Sequence, residues 1–454
     1  MEKKRIRIYF WVIFIFLSSS TVIISILIPK EQTYELRWAT LKEAEKHPYT
    51  KLLKEYVQID TSQPVGNTLS SAVFLAMLLE KEGINTEIIE SSPQKASLFA
   101  KIGPKEGSPI ILQHHMDTAE VIDKDGWKYD PWGGTIHLGY LYGIGSLDMK
   151  STGLCFLYAF IKAHKEKWNL KRPVIYYASC GEEAEFEGGT KWMLEKHPEF
   201  FPKGSLFLTE GGLVEMITNQ TRWVGIEIGQ KGFCKFETKI KKEDREKIDI
   251  ELQKIFKNKA ILNPYIIDFM KNISAFRVDF FKSCLEDIEN CIKGKKKDEI
   301  LIPNPLKSLL FSEGYWIEKK DGSSAFIIST IWGEDQENYI KKAEEVFKKF
   351  KISYNLTKLP PPSFTSHQSS EFEKIKNVYY DYFNVPVFPY LQASSITESC
   401  LFREKGFKAY GICPVRYTIY DSLNINLYDE CVYLPYYLEG LEISEKILKE
   451  LSTM

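Results

Sequence analysis

The chain has 454 residues, with 60 basic and 61 acidic side chains and a formal charge of −1. That balance excludes a protein drawn to nucleic acid or anionic lipid by its overall charge, and the length allows two to three domains. With 44% apolar and 14% aromatic residues, the chain can bury a large core, which excludes bulk disorder.

The N-terminus departs from this average. Lys3, Lys4, Arg5 and Arg7 precede an uncharged, mostly apolar run from Ile8 to Ile28, closed by Pro29 and Lys30. About 20 such residues, each rising 1.5 Å in a helix, cross a hydrocarbon core. The leading positive cluster predicts a single-pass membrane protein with a cytoplasmic N-terminus. The body would then be lumenal, in the vacuole or secretory pathway, or extracellular. The rival is a cleaved signal peptide, for which Ser18, Ser19 and Ser20 offer a small-residue site. The apolar run continues past those serines, beyond the ~7–15 residues usual for a signal peptide. A retained signal anchor over residues 1–30 is therefore the expectation.

Residues 30–45 are polar and helix-prone and read as a stalk. From about residue 50 to 225, strand and helix patterns alternate. Ser70–Glu82 carries a helical apolar pattern, Ile110–Leu112 and Val174–Ala178 are short apolar runs of buried strands, and Thr152–His164 is a helix between them. The alternation predicts an α/β domain, a central mixed sheet with helices on both faces, over 31–225 and again over 359–454. Residues 226–358 read as an inserted α+β lid domain. In it Gly232–Ile240, Tyr315–Glu318, Ala325–Ile331 and Lys351–Thr357 are extended, while Asp244–Lys257 and Asp335–Phe350 are helices. Ile261–Pro303 does not fit that plan and reads as an elaboration, with a solvated loop at Lys293–Asp298. Leu359-Pro-Pro-Pro-Ser363 is the hinge back, and a last helix runs from about Pro435 to Leu451 with proline in its first turn.

Asn219-Gln-Thr, Asn272-Ile-Ser and Asn355-Leu-Thr are sequons that suit a glycosylated lumenal body. The eight cysteines include no CxxC pair, which argues against a thiolate zinc site. Cys284 and Cys291 could form one disulfide, although spacing does not fix the connectivity.

Four clusters close strand patterns. In Ile110-Ile-Leu-Gln-His-His-Met-Asp117, His115 and Asp117 are two apart and share one face of an extended chain. An imidazole there can bind zinc while a carboxylate fixes its tautomer, or the pair can simply end a strand. Asp148, in Tyr142-Gly-Ile-Gly-Ser-Leu-Asp-Met-Lys150, could bridge two metals or cap the next helix. In Cys180-Gly-Glu-Glu183, adjacent carboxylates are costly unless metal or protons neutralise them, or else they are solvated loop residues. In Leu206-Phe-Leu-Thr-Glu-Gly-Gly212, Glu210 ends a strand before a tight turn.

In order and spacing, His115-x-Asp117, Asp148, Glu182-Glu183 and Glu210 resemble one family, the two-zinc exopeptidases and aminoacylases. These include carboxypeptidase S, glutamate carboxypeptidase and the N-acyl amino acid hydrolases. Trp127 through Gly134, Gln230-Lys-Gly-Phe233, Ile396-Thr-Glu-Ser399 and Ala409-Tyr-Gly411 resemble further segments of it. The resemblance covers about residues 45–235 well and 360–450 weakly. It implies a zinc-exopeptidase fold binding one or two zinc ions. His115 would hold one zinc, Asp148 would bridge both, and Glu183 would hold the other. Glu182 would be the general base and Asp117 would orient His115. The implied reaction is metal-dependent hydrolysis of an amide bond in a small peptide or N-acyl amino acid. Some members pair through the lid, so a homodimer is among the assemblies the resemblance allows.

The departures from the family pattern are specific. Asn426, in Asn426-Leu-Tyr-Asp-Glu430, stands where members have a histidine, and Asn is a poor replacement for imidazole at zinc. Thr209 stands where carboxypeptidase S-like members have Asp, so the zinc ligand of that turn survives only if it is Glu210. The lid lacks the family's G-H-S-S histidine, and Thr330-Ile-Trp-Gly333 replaces its arginine-bearing stretch. Two readings therefore stay open. One is an active hydrolase, and the other is a catalytically inactive, membrane-anchored relative acting as a binding protein.

Overall fold

The computed structural model describes residues 40–453 except 185, 187, 218, 241, 258, 278, 319–322 and 394. The apolar run 8–28 and most of the expected stalk lie outside the described residues. Among the described residues, no helix is long and apolar enough to cross a membrane.

The end of the expected stalk is part of the body. Residues 40–46 are helical. Their apolar pair, Leu41 and Ala44, is buried, and the Glu45 carboxylate accepts from the Gly139 N–H at 3.2 Å. Leu41 and Ala44 are three apart and so face one way, a contact too short to register as an amphipathic pattern.

The large sheet runs, from one edge, through Thr86–Ser92, Lys95–Ile102, Val174–Ser179, Ile110–His115, Leu206–Thr209, Lys408–Gly411, Gln220–Gln230 and Ser363–Phe364. Val387–Gln392 and Leu213–Ile217 also pair with Gln220–Gln230. The fold is α/β with a mixed sheet. Ile110–His115 is parallel to both Val174–Ser179 and Leu206–Thr209, and Lys408–Gly411 is parallel to the latter. Four strands therefore end at one edge, where ligands of open α/β sheets bind. Ile110–His115, Val174–Ser179 and Leu206–Thr209 are buried at every position, as near-continuous apolar runs require of strands covered on both faces.

The helices Thr68–Lys81, Ser151–Lys165, Ser370–Phe383 and Leu434–Thr453 bury Leu75, Leu79, Leu154, Phe160, Ile375, Tyr437 and Ile447 in one cluster with this sheet. A second sheet of Glu313–Glu318, Ser324–Thr330, Gly232–Thr238 and Asn355–Lys358 is antiparallel throughout. It packs Cys234, Phe236, Phe326 and Ile328 against Ile248 and Leu252 of Lys242–Gln253 and Ile340 and Phe347 of Gln336–Lys349, a separate core. Residues 226–230, placed with the insertion from sequence, stay in the large sheet. The elaboration also turns back to the large core, where Ile266, Phe269, Met270, Leu285 and Ile288 are buried. Cys284 and Cys291 are bonded to each other there.

Candidate metal centre

Strand register assembles the site. His115 pairs with Ser179 across parallel strands, and the Met116 N–H donates to the Ser179 carbonyl at 2.9 Å. The Cys180–Glu183 turn therefore begins level with His115. Gly181 takes a left-handed φ of 79°, a conformation that favours glycine. The turn aims the N–H groups of Glu182 and Glu183 at Asp117, whose Oδ1 and Oδ2 accept them at 3.1 and 3.0 Å. The Gln63 amide donates to the same Oδ2 at 2.9 Å. On the next strand, Glu210 follows Thr209 before a close backbone approach. A Cβ on Gly212 would lie 2.7 Å from the backbone of Ile412, which is why the turn reads Gly-Gly.

Two groups converge on one imidazole. His115 with Asp148 and Glu210, and His115 with Glu182 and Glu183, each bring their ligand atoms within 4.8 Å of one another. His115 Nε2 lies 3.2 Å from Asp148 Oδ1 and 3.9 Å from Glu210 Oε1. Its Nδ1 lies 2.8 Å from the backbone carbonyl of Asp117 and 3.9 Å from that residue's carboxylate. The peptide carbonyl thus holds the tautomer that leaves Nε2 for a metal. The Asp117 carboxylate, expected to orient His115, instead holds the Glu182–Glu183 turn.

Asp148 does not cap the following helix, whose N-cap makes no side-chain hydrogen bond. The Asp148 carboxylate is turned to His115 on one oxygen and to Asn426 on the other, the Asn426 Nδ2 donating to Oδ2 at 3.2 Å. The same Nδ2 donates to Glu183 Oε1 at 2.9 Å. Glu430 is fully buried and fixes both partners. Its Oε1 accepts the N–H groups of Leu147 and Asp148 at 2.8 and 3.0 Å, and its Oε2 accepts the Asn426 N–H at 3.2 Å. The sequence marks this segment but not the role of its last acid. The only signal was an acid ahead of the apolar pair Cys431-Val432.

The electrostatics ask for cations. Burial, foremost, and the neighbouring carboxylates push Glu182 and Glu210 well above the ordinary range and Glu183 up to about 8. Burial disfavours the His115 cation, but the Asp148 hydrogen bond and the charges of Glu210 and Glu182 outweigh it and hold the ring well above its usual value. Buried carboxylates gathered around one imidazole, with no Lys or Arg among the described residues of the cavity wall, call for positive charge of the kind a metal ion supplies. His115, Asp148, Glu183 and Glu210 provide imidazole and carboxylate donors of the kind zinc accepts.

Thr209 does not reach this centre. Its hydroxyl donates to Gln113 Oε1, so Glu210 is the acid of that turn at the site. Thr330 is buried at the end of its lid strand, opposite Gly232. Asp148, Glu182, Glu183, Glu210 and Asn426 open onto a cavity of about 560 Å³ with Leu147, Met149, Ile412, Val415, Tyr417 and Ile425 in its wall. No described residue of the wall is Lys, Arg or His.

The chain is similar to known proteins in sequence and in fold. A stretch of 150 residues is 32% identical to a protein of Staphylococcus aureus named as a probable succinyl-diaminopimelate desuccinylase, covering 33% of this chain and 36% of that relative. A stretch of 115 residues is 32% identical to an acetylornithine deacetylase of Vibrio atlanticus, covering 25% of this chain and 29% of the relative. The matches thus span about a third of these relatives' length. The fold is similar to an M20 family metallo-carboxypeptidase from Sulfolobus solfataricus, with TM-score 0.69, 16% identity, and 89% of this chain and 99% of that chain covered. It is also similar to human carnosine dipeptidase 1, with TM-score 0.64, 17% identity, and 92% and 99% covered. The model of peptidase family M20/M25/M40 matches residues 111–449, most of the chain and every candidate ligand, and the chain belongs to that family of metallopeptidases and amidohydrolases.

Proposed function

We propose that this chain hydrolyses an amide bond of a small peptide or N-acyl amino acid, with Glu182 as general base. The observation that carries the reading is that His115 groups with Glu182 and Glu183 and with Asp148 and Glu210, and that these four acids line one cavity. Zinc, when held by these residues, supplies Lewis-acid polarisation of the carbonyl and acidifies water.

The protein's own groups supply the rest. Glu182, its carboxyl raised by burial and by neighbouring charge, becomes a base once cations offset that charge. It takes the proton of the attacking water and returns it to the leaving amine. Asp117 keeps the Glu182–Glu183 turn in place through the two N–H bonds described above. Tyr417 lines the cavity, and burial, with Asp148 and Glu210 near, keeps its hydroxyl protonated. It is an O–H donor for charge developing on the carbonyl oxygen, a role for which the lid lacks its histidine. Leu147, Met149, Ile412, Val415 and Ile425 favour an apolar side chain or acyl group next to the scissile bond.

The anchor belongs to the same proposal. The apolar run Ile8–Ile28, led by a basic cluster, supports a membrane-held enzyme with a lumenal or extracellular body.

The test is the full chain loaded with zinc and given a panel of dipeptides and N-acyl amino acids, beside Glu182→Gln. The variant is expected to keep its metal and lose about 10²–10⁴ in kcat, the scale of a general base. Equal rates in both proteins would remove Glu182 from the reaction. No turnover by the metal-loaded native chain would leave the binding-protein reading in its place.

A further inference from the structure

The two halves of the centre are not chemically alike. Around His115 the donors are one imidazole nitrogen with the carboxylates of Asp148 and Glu210, and the same nitrogen-bearing ring also groups with Glu182 and Glu183. Among the described residues, no second histidine joins these carboxylates on the side of Asp148 that faces Asn426. There, Asp148 Oδ2 and Glu183 Oε1 are both within hydrogen-bond reach of one amide nitrogen, that of Asn426, at 3.2 and 2.9 Å. The NH2 group sits between two carboxylates as a cation would.

The other atom of that amide is unsatisfied. Asn426 Oδ1 is buried and has no hydrogen-bond partner, a costly state for a polar oxygen. A half turn about the last side-chain bond exchanges oxygen and nitrogen in almost the same volume, since the two ends of an amide are nearly isosteric. It would put Oδ1 beside Asp148 and Glu183, where three oxygens repel unless a cation lies among them. The backbone needs no change for this. Asn426 is pinned at φ 58°, with its N–H on Glu430 at 3.2 Å.

We propose that the centre is asymmetric, with a nitrogen-containing zinc position at His115, Asp148 and Glu210, and an all-oxygen position at Asp148, Glu183 and Asn426 for a harder divalent cation. Carboxylate and carbonyl oxygens suit manganese or magnesium, whereas imidazole shifts preference toward zinc. Asn426 is then a switch between two uses of one amide. Its nitrogen ties the carboxylates together in the metal-free protein, and its oxygen is a ligand when the cation is bound. The proposal rests on the metal-centre reading above and extends it to the identity of the second ion.

Manganese gives the test a readout independent of turnover, because free and protein-bound Mn²⁺ differ in their paramagnetic resonance spectra. The metal-free full chain is given one equivalent of Zn²⁺, then titrated with Mn²⁺. One equivalent of zinc resistant to dialysis, followed by one equivalent of bound Mn²⁺, is the expected result. Asn426→Ala should weaken Mn²⁺ binding while retaining the first zinc. Asn426→His should raise zinc affinity at the second position by at least about tenfold, so that zinc displaces manganese. Circular dichroism of each variant keeps a folding defect from posing as lost binding. Two equivalents of zinc bound alike by the native chain, with no competition by Mn²⁺, would overturn the asymmetry alone. Failure to bind even the first zinc would overturn the metal-centre reading, and the proposal with it.

Discussion

At the scale of single residues, the site depends on what Asp117 does with its two oxygens. Each accepts a backbone N–H of the Glu182–Glu183 turn, and one also accepts from Gln63. Asp117→Asn replaces one acceptor by an NH2 group that faces an N–H donor, so the turn has to move. Removal of partners that orient ligands costs metal affinity about 10–100-fold, and this variant is expected to lose that much zinc affinity in competition with a chelator. The His115 tautomer, held by the peptide carbonyl, should survive, so the variant should still load at high metal concentration. A variant with unchanged affinity would mean that the turn holds itself. The acids stood out in the sequence through their order and spacing, which resemble one family, rather than through any one cluster taken alone. Gln63, Glu430 and the carbonyl of Asp117 did not. Backbone atoms have no sequence signature, and a Gln or Glu distant in the chain looks like any surface residue.

At the scale of elements, buried polar groups bind the strand ends together beneath the site. Glu398 Oε2 accepts from the Ser179 hydroxyl at 2.5 Å and from the Gln113 amide, and Gln113 in turn accepts from Thr209. Three adjacent strands and the helix Ser399–Glu404 are joined through these contacts. Arg403 of that helix pairs with Glu227 at 2.7 and 2.6 Å in the interior. Burial, opposed by the Ser179 hydrogen bond, lifts Glu398 from 4.5 to about 7. The unfolded chain therefore releases this proton first. The stability contributed by the neutral carboxyl is complete below about pH 4.5 and is lost as pH rises through about 7, a change on the order of 3 kcal/mol. Glu398→Gln stays neutral throughout. Thermal melts of the metal-free protein from pH 4.5 to 7.5 should slope downward in the native chain and less steeply in the variant. Parallel slopes would show that Glu398 is already ionised in the fold. Strands and helices of the large domain were readable because short, wholly buried apolar runs such as Ile110–Leu112 and Val174–Ala178 alternate with helical patterns. The packing of Ile261–Pro303 was not, because its short helices carry apolar residues that fit either domain.

At the scale of the molecule, the cysteines provide a chemical record of the compartment that the body occupies. Cys284 and Cys291 form a bond in the fold, while Cys155, Cys180, Cys234, Cys400, Cys413 and Cys431 are free and buried. Disulfides persist in oxidising compartments and are rare in the cytosol. A body on the far side of a membrane, as the basic cluster before Ile8 predicts, would therefore keep this bond. Two of the three sequon asparagines, Asn219 and Asn355, are exposed and open to glycosylation. The full chain isolated from its own membranes and alkylated in denaturant should label at six cysteines before reduction and at eight after it. In sealed vesicles the body should resist added protease until detergent is supplied, and glycosidase should increase its mobility on a gel. Labelling of all eight cysteines without reduction, together with digestion in intact vesicles, would put the body in the cytosol. The lumenal reading would then be abandoned, while the metal centre, which uses none of these cysteines, would stand unchanged.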